Sequence, residues 1–263
     1  MIADYHTHTP LCKHASGEPE AYAARAVERG LPEIGFSDHS PMPPHYDPDW
    51  RMSYEQYGAY VAMVERCRKA FPKLSIKLGL EADFHDGTED FVYNTTNEYD
   101  FDYVIGSIHY LGDWGFDNPA NVGRFDGRDV FDVYREYFDK VARLAASGLY
   151  DILGHPDVVK KFGHRPARPY DDLMAKALEA VQKAGMALDV NTSGLRRPAK
   201  EIYPSRRFLE LAREVGVPVT LGSDAHRPEE VGEGFGEAVA LLKSVGYDEI
   251  RSFTGRKSEG RNL

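Results

Sequence analysis

Seven of the ten histidines fall at or just after the carboxyl ends of short apolar runs that predict β-strands. Two carboxylates, Glu81 and Asp224, occupy equivalent places. The nine side chains are His6, His8, His14, His39, Glu81, His109, His155, Asp224 and His226. Imidazole and carboxylate together bind zinc, iron or manganese, with roughly three or four protein ligands for each ion. Nine ligands exceed the need of one ion, so the set predicts two or three ions and a hydrolytic reaction.

The spacing of His6 and His8 is the most specific local signal in this set. Side chains alternate along an extended strand, so both rings lie on the same side and can reach one ion. A single histidine at a strand end is more often a hydrogen-bonded structural residue, and the prediction therefore depends on the whole set. His45, His85 and His164 lie in loops outside this alignment, and we interpret them as surface or secondary-site residues.

The elements that would position these side chains alternate between strands and helices along the whole chain. Strands are predicted at residues 2–6, 33–37, 74–80, 103–107, 151–153, 187–190 and 218–221. Helices are predicted at residues 20–29, 54–70, 130–146, 171–184, 205–215 and 236–244, with a less regular pattern at 89–97. This alternation predicts a (β/α) barrel or a doubly wound sheet, in one domain of residues 1–263. In a barrel, the loops after the strands converge on one face.

Composition excludes several classes of protein. The chain has 263 residues, of which 42% are hydrophobic, enough for one sizeable core. No apolar run approaches the roughly 18 residues of a membrane span, and no signal-peptide pattern is present, so we expect a cytoplasmic protein without a membrane partner. The 42 acidic residues against 32 Lys and Arg disfavour nucleic acid as a partner. Cys12 and Cys67 are expected to be reduced thiols.

The motifs that contain the nine side chains occur in one order along the chain. They are Asp4-Tyr5-His6-Thr7-His8, His14, Ser37-Asp38-His39, Glu81, Ser107-Ile108-His109, Gly154-His155-Pro156 and Gly222-Ser223-Asp224-Ala225-His226. This pattern resembles the PHP (polymerase and histidinol phosphatase) family. The resemblance implies an α/β fold, a distorted, TIM-like (β/α)7 barrel with a metal site of three divalent ions, zinc, iron or manganese, at the C-terminal ends of the strands.

Matching motif to motif, the resemblance also implies how the ligands are shared among the ions. The first ion would be held by His6, His8, Glu81 and Asp224. The second would be held by Glu81, as a bridging ligand, with His109 and His155. The third would be held by His14, His39 and His226.

Two longer stretches, residues 154–163 and residues 191–196 with 201–204, resemble the histidinol-phosphate phosphatase branch of this family. The branch implies hydrolysis of a small-molecule phosphate monoester, L-histidinol phosphate, to L-histidinol and phosphate in histidine biosynthesis. Asp189 departs from the pattern, because related phosphatases often carry a longer carboxylate there.

Both stretches place cations beside the predicted metal face. Arg196 is the first candidate for phosphate binding, because a guanidinium can donate to two phosphate oxygens at once. Lys160 and Lys161 are the next candidates. We interpret Arg197, like one of the two lysines, as a solvated surface charge.

The reaction that we expect is in-line attack on phosphorus by a hydroxide between the first two ions. Glu81, Asp224 and His226 would be the catalytic residues, acting through the ions. Asp38 either orients His39 or caps a turn. The proline-rich loop, residues 41–51, either covers the site or forms a rigid surface loop; it and residues 110–114 offer groups for the amine and imidazole of the substrate.

Two alternatives stay open at this point. One is a PHP phosphoesterase that acts on another small phosphate, a nucleotide or a phosphotyrosine substrate. The other is a non-catalytic module that keeps the barrel. Loss of ligands would mark such a module, and all nine are present in the sequence. The oligomeric state is left open.

Overall fold

The computed structural model describes residues 2–263. The strands in this part of the chain are β1 (Ala3–Asp4), β2 (Glu33–Phe36), β3 (Ser75–Asp83), β4 (Tyr103–Ser107), β5 (Tyr110–Leu111), β6 (Trp114–Gly115), β7 (Ile152–Leu153), β8 (Ala187–Asn191), β9 (Val219–Gly222), β10 (Glu249–Thr254) and β11 (Lys257–Asn262). The α-helices are α1 (Pro19–Glu28), α2 (Tyr57–Ala70), α3 (Glu89–Thr96), α4 (Val130–Ala146), α5 (Asp171–Ala184), α6 (Arg206–Glu214) and α7 (Phe235–Val245).

Seven strands form one parallel sheet in the order β1-β2-β3-β4-β7-β8-β9. The sheet curves until its two edges meet. The backbone N–H of Tyr5 donates to the carbonyl of Leu221 at 3.0 Å, and that of His8 donates to Ala225 at 2.9 Å. The fold is therefore a nearly closed (β/α)7 barrel, as predicted, and the doubly wound alternative is wrong.

Amphipathic helices cover the outside of the barrel. Helix α4 begins after Asp129, whose side chain accepts a hydrogen bond from the N–H of Phe131. Its buried face includes Tyr137, Val141 and Leu144, which recur at the three- and four-residue spacing of one helical face. The seven predicted helices are all present, with ends within a few residues of those predicted.

Two hairpins are absent from the sequence prediction. The first, β5–β6, has two residues in each strand. The second, β10–β11, pairs Glu249 with Asn262 and Thr254 with Lys257. All six residues of β11 are exposed and none is apolar, so the apolar alternation by which a strand is recognised in sequence is missing there.

Aromatic side chains close the end of the barrel where the strands begin. The ring of Tyr5 packs edge to face against those of Tyr103 and Phe253, and the hydroxyl of Tyr103 donates to the carbonyl of Tyr5 at 2.7 Å. A Cβ at Gly35 would lie 2.8 Å from Cζ of Tyr103, so this strand position has room only for glycine. With one end filled, the open end of the barrel lies at the carboxyl ends of the strands.

No helix within residues 2–263 is both long and apolar enough to span a membrane.

Cys12 and Cys67 are buried free cysteines. Burial raises the pKa of the Cys67 thiol to about 12, so it stays protonated at neutral pH.

Candidate metal centre

All nine predicted ligands lie together at the open end of the barrel. They come from the carboxyl-terminal parts of six of the seven strands of the sheet: His6, His8 and His14 follow β1, His39 follows β2, Glu81 lies in β3, His109 follows β4, His155 follows β7, and Asp224 and His226 follow β9. Because parallel strands end at the same edge, residues more than 200 positions apart in sequence become neighbours.

The first group contains His6, His8, Glu81 and Asp224. Nε2 of His6 lies 3.4 Å from Oε2 of Glu81, and Nε2 of His8 lies 3.2 Å from Oδ1 of Asp224. The other two imidazole–carboxylate distances are 3.7 and 3.9 Å. Ligand atoms about 2.1 Å from a tetrahedral ion lie about 3.4 Å from one another, so these distances suit one bound ion.

The second group uses the other oxygen of Glu81. Oε1 lies 3.1 Å from Nε2 of His155 and 3.7 Å from Nε2 of His109, and these two nitrogens lie 3.3 Å apart. The hydroxyl of Ser107 donates to the same oxygen at 2.6 Å. Glu81 thus presents one oxygen to each group, as a bridging carboxylate would.

The third group consists of His14, His39 and His226, which offer nitrogens within 4.8 Å of one another. Nε2 of His14 and Nε2 of His226 lie 2.9 Å apart. Nδ1 of His39 also lies 2.9 Å from Oε2 of Glu81, so this group adjoins the first.

The donor atoms fit divalent cations. Nε2 of His6, Nε2 of His8, Nδ1 of His39 and Oε2 of Glu81 are buried and have no hydrogen-bond partner among the described residues. A buried polar atom without a partner is costly, and buried groups of this kind are otherwise hydrogen-bonded or bound to metal.

A second layer of contacts orients the imidazoles. Nδ1 of His6 lies 2.8 Å from Oδ2 of Asp189, and Nδ1 of His109 lies 2.9 Å from Oδ1 of Asp83. Such contacts fix the tautomer and direct the opposite nitrogen at the ion. The sequence analysis missed Asp83, although it lies two positions after Glu81 on one strand, where period two places both on the same face.

Asp38 caps a turn, one of the two roles weighed for it, but it does not contact the ring of His39. Its oxygens accept hydrogen bonds from the N–H groups of Thr9 and His39 at 3.2 and 2.8 Å, as a turn cap does. Its Oδ1 also lies 3.5 Å from Nδ1 of His8. The ring beside Asp38 is thus that of His8, because the ring of His39 turns toward Glu81.

The charges of the centre hold its carboxylates ionised. Burial raises the pKa of Glu81, but the imidazoles of His39 and His6 and the hydrogen bonds that Glu81 accepts lower it much further. The pKa of Asp224 falls well below its usual range for the same reasons, with His6 and His8 as its first partners. Ionised carboxylates are the form that binds metal.

Two of the nine residues adopt a backbone conformation that is unusual for side chains. His155 has φ +26° and Asp224 has φ +52°, in the left-handed region. Such strain is kept where the surrounding structure requires it, most often at functional sites. Each lies two residues after a strand that ends at the centre.

Comparisons with known proteins decide the family. The family model of the PHP domain matches residues 4–193, and that of the PHP-associated region matches residues 204–238. The chain belongs to the PHP domain family. The probable histidinol-phosphatase of Deinococcus radiodurans is 48% identical over 259 residues, covering 98% of both chains.

Two further PHP relatives extend this result. The histidinol-phosphatase of Bacillus subtilis is 30% identical, over 88% of this chain and 96% of its own length. The crystal structure of histidinol phosphate phosphatase from Lactococcus lactis, complexed with Zn, L-histidinol and phosphate, gives a TM-score of 0.84 at 23% identity and 98% coverage of both chains. That likeness shows a shared fold. The family and the branch predicted from the sequence are both confirmed.

A cavity of about 590 Å³ opens at the metal centre. Its lining includes the cations Lys161, Arg196 and Arg197 and the acids Asp47 and Asp117. Trp50, on the proline-rich loop, also lines it and lies with its ring 4.9 Å from that of His14. The loop therefore borders the centre rather than forming a separate surface.

The structure separates the predicted phosphate-binding cations of this PHP chain. Arg196 reaches the cavity, but Nη2 donates to the carbonyls of Ser223 and Asp224 at 2.8 and 3.4 Å, and Nη1 donates to Glu233 at 3.2 Å. These contacts tie both terminal nitrogens of Arg196 to the protein. Arg197, interpreted above as a surface charge, is half-buried at the cavity, and its side chain has no hydrogen bond or ion pair within residues 2–263.

Lys160 does not reach the cavity. Its ammonium is 1% exposed and donates to the carbonyl of Ile202 at 2.9 Å, with Asp157 and Glu201 also at 2.9 Å. All three N–H donors of the Lys160 ammonium thus have protein partners, and none is left for phosphate, contrary to the expectation from the sequence. Lys161 lines the cavity and lies 3.1 Å from Asp117.

Proposed function

We propose that this chain hydrolyses L-histidinol phosphate to L-histidinol and phosphate. The observation that carries the proposal is the convergence of nine metal-binding side chains on the floor of a cavity whose wall bears an unpaired arginine. The histidinol-phosphatases among its relatives support the choice of substrate. The place of the reaction would be histidine biosynthesis. A cytoplasmic location and the absence of a nucleic-acid partner stay predictions from the sequence, as does the single domain of residues 1–263.

We further propose that the centre binds three divalent ions, zinc, iron or manganese. His6, His8, Glu81 and Asp224 would hold the first. Glu81 with His109 and His155 would hold the second, and His14, His39 and His226 the third. Bound there, such ions acidify water to supply a nucleophile near neutral pH and polarise phosphoryl oxygens.

The chain's own residues would bind and orient the phosphate. Arg197 is the proposed phosphate ligand, since it is a cation at the cavity without another partner and its guanidinium matches two oxygens. Lys161 adds a second positive charge, although it shares it with Asp117. Arg196 donates to the backbone carbonyls of Ser223 and Asp224, so its contribution to phosphate binding would be indirect, through the position of the metal ligand Asp224.

The other end of the substrate carries a cationic amine and an imidazole. Asp47 and Asp117 give the cavity carboxylates for the amine, and Trp50 gives it an aromatic face. These groups favour an amine-bearing ester over a nucleotide.

The test is phosphate release by zinc-, iron- or manganese-loaded protein. L-Histidinol phosphate, p-nitrophenyl phosphate and a nucleoside monophosphate are compared under the same conditions. We expect kcat/KM for L-histidinol phosphate to exceed the others by at least about 100-fold, which is 2.7 kcal/mol of preferential binding to the transition state. Equal hydrolysis of all three would leave the metal chemistry and overturn the substrate. Cleavage of the nucleoside monophosphate alone would favour the alternative of a PHP phosphoesterase that acts on nucleotides.

A further inference from the structure

Arg51 is a buried cation that lies beside the centre without being one of its ligands. It belongs to the proline-rich loop, and it is 3% exposed. Nη2 donates to Oδ2 of Asp83 at 3.0 Å, and Nη1 donates to the carbonyl of Ser40 at 3.2 Å. A charge this deeply buried is retained only where its partners compensate for lost water.

Asp83 connects this arginine to the metal-binding side chains. It is fully buried, and its two oxygens have separate partners. Oδ1 faces Nδ1 of His109 at 2.9 Å. Oδ2 accepts from Arg51 and, at 3.1 Å, from the hydroxyl of Tyr46, which lies on the same loop. Contacts to both oxygens prevent the carboxylate from turning about its bond to the strand.

The orientation of His109 depends on this carboxylate. With Nδ1 held by Asp83, the opposite nitrogen, Nε2, points at His155 and Glu81. A ring that is free to rotate must become ordered when the ion binds, and this lowers its affinity for the metal. A ligand is most effective when its geometry is fixed beforehand. The loop thus supplies both groups that hold Oδ2 in place.

We propose that Arg51 is a positioning residue of the metal centre, which fixes His109 through Asp83 and so makes the proline-rich loop part of the metal-binding structure. Its kinetic consequence rests on the proposed phosphatase function. Its consequence for metal binding does not. The loop therefore does two things at once: Trp50 and Asp47 line the cavity, and Arg51 and Tyr46 hold a ligand of the second group.

The test compares Arg51→Met with the conservative Arg51→Lys and with Arg68→Met. Arg68 is the matched control, because it also forms an ion pair with an aspartate, Asp102, at 2.9 Å, but on the outside of the barrel. Each purified protein is loaded with zinc and dialysed against a series of chelator concentrations. Metal per chain, melting temperature without metal, kcat and KM are then measured.

We expect Arg51→Met to lose about one ion per chain at a chelator concentration that the wild type withstands. Its affinity for that ion should be about 10- to 100-fold lower than that of the wild type. We expect kcat for L-histidinol phosphate to fall in parallel, with KM within about twofold. Arg51→Lys should recover part of the lost metal, and Arg68→Met should retain all of it. A residue with only a structural role would lower the melting temperature and leave metal per folded chain unchanged.

Retention of every ion by folded Arg51→Met would overturn the inference. If that variant does not fold, Tyr46→Phe carries the test, since it removes one donor to the same oxygen and keeps the ion pair. It should lose metal at a chelator concentration between those of the wild type and of an Asp83→Asn variant, and wild-type retention would count against the inference. A wild type that binds zinc but does not cleave L-histidinol phosphate would contradict the proposed function alone.

Discussion

His6 and Asp189 form a buried pair at the metal centre, with Nδ1 of the imidazole 2.8 Å from Oδ2 of the carboxylate. The same oxygen accepts hydrogen bonds from Nδ2 of Asn191 at 2.9 Å and from the N–H of His155 at 3.3 Å. One short carboxylate therefore orients two of the nine ligands. Asp189 is thus long enough to reach Nδ1 of His6, although related phosphatases often carry a longer carboxylate at this position.

Asp189→Asn should weaken zinc binding by about 10- to 100-fold. The amide keeps the size of the side chain but removes the charge that makes His6 a better ligand. Competition with a fluorescent chelator measures the affinity. Asp102→Asn, which changes a carboxylate far from the centre, is the control. Equal zinc affinity in Asp189→Asn and the wild type would rule out this role.

Gly222→Ala should reduce metal content while leaving the fold intact. A Cβ at this position would lie 2.5 Å from Cβ of His6 and would also press on the Asp189 carboxylate, so the pair must shift. The matched control is Gly236→Ala, where a Cβ meets nothing within 4 Å. Alanine there should stabilise helix α7 by about 0.5–1 kcal/mol. Metal analysis and thermal melting of both variants check this. An unaltered metal content in Gly222→Ala would contradict it.

Lys160→Met and Lys161→Met should have opposite consequences, although the residues are adjacent. Lys160 is buried with Asp157 and Glu201, so its loss should destabilise the fold by about 3–5 kcal/mol. Lys161 faces the cavity, so its loss should raise KM with little change in stability. Denaturant unfolding and steady-state kinetics separate the two outcomes. A raised KM in Lys160→Met at normal stability would restore the original expectation for that residue.

Arg197→Gln should raise KM for L-histidinol phosphate by about tenfold or more, because a charged hydrogen-bond donor to phosphate is lost. Its metal content should not change. Arg196→Gln should instead lower metal content, since Arg196 supports the backbone at Ser223 and Asp224. Kinetics and metal analysis of the two neighbours give the comparison. The reverse pattern would make Arg196 the phosphate ligand.

Zinc binding by the metal-free protein should release protons at pH 7. Burial lowers the pKa of His109, but the carboxylates of Asp83 and Asp117 raise it by more, to about 9. Below that pH the ring is protonated, and zinc must displace the proton, so affinity should fall as the pH falls below 9. Calorimetry in buffers of different ionisation enthalpy counts the protons.

The proton count also has a control. Asp83→Asn removes a charge that raises this pKa, so it should release fewer protons at pH 7 than the wild type. At pH 10 the two proteins should differ little, because the ring is then largely neutral in both. Equal proton release at pH 7 would show that His109 is already neutral there.

Local patterns in the sequence predicted the strands, the helices and the metal-binding side chains, but they left a barrel and a doubly wound sheet open. The resemblance to the PHP family implied the barrel. Strands and helices are set by short-range periodicity, and the ligands follow strand ends, which must meet at one edge of a parallel sheet. The β10–β11 hairpin lacks that periodicity and was missed. Its contribution, the packing of Phe253 against Tyr5, is visible only in three dimensions.

Tertiary structure decided what the side chains around the ligands do. The sequence contains Lys160 and Lys161, or Arg196 and Arg197, as pairs of adjacent like charges, and nothing local distinguishes their members. Burial and partners do. Lys160 is buried among protein partners, whereas Lys161 lines the cavity beside Asp117. Arg196 and Arg197 both line the cavity, but Arg196 donates to backbone carbonyls and to Glu233, and the side chain of Arg197 has no hydrogen bond or ion pair among the described residues. Likewise, Arg51 and Asp83 lie 32 positions apart, and only folding brings them into contact. Ligand type is a property of one residue, but availability and orientation depend on neighbours that are distant in sequence.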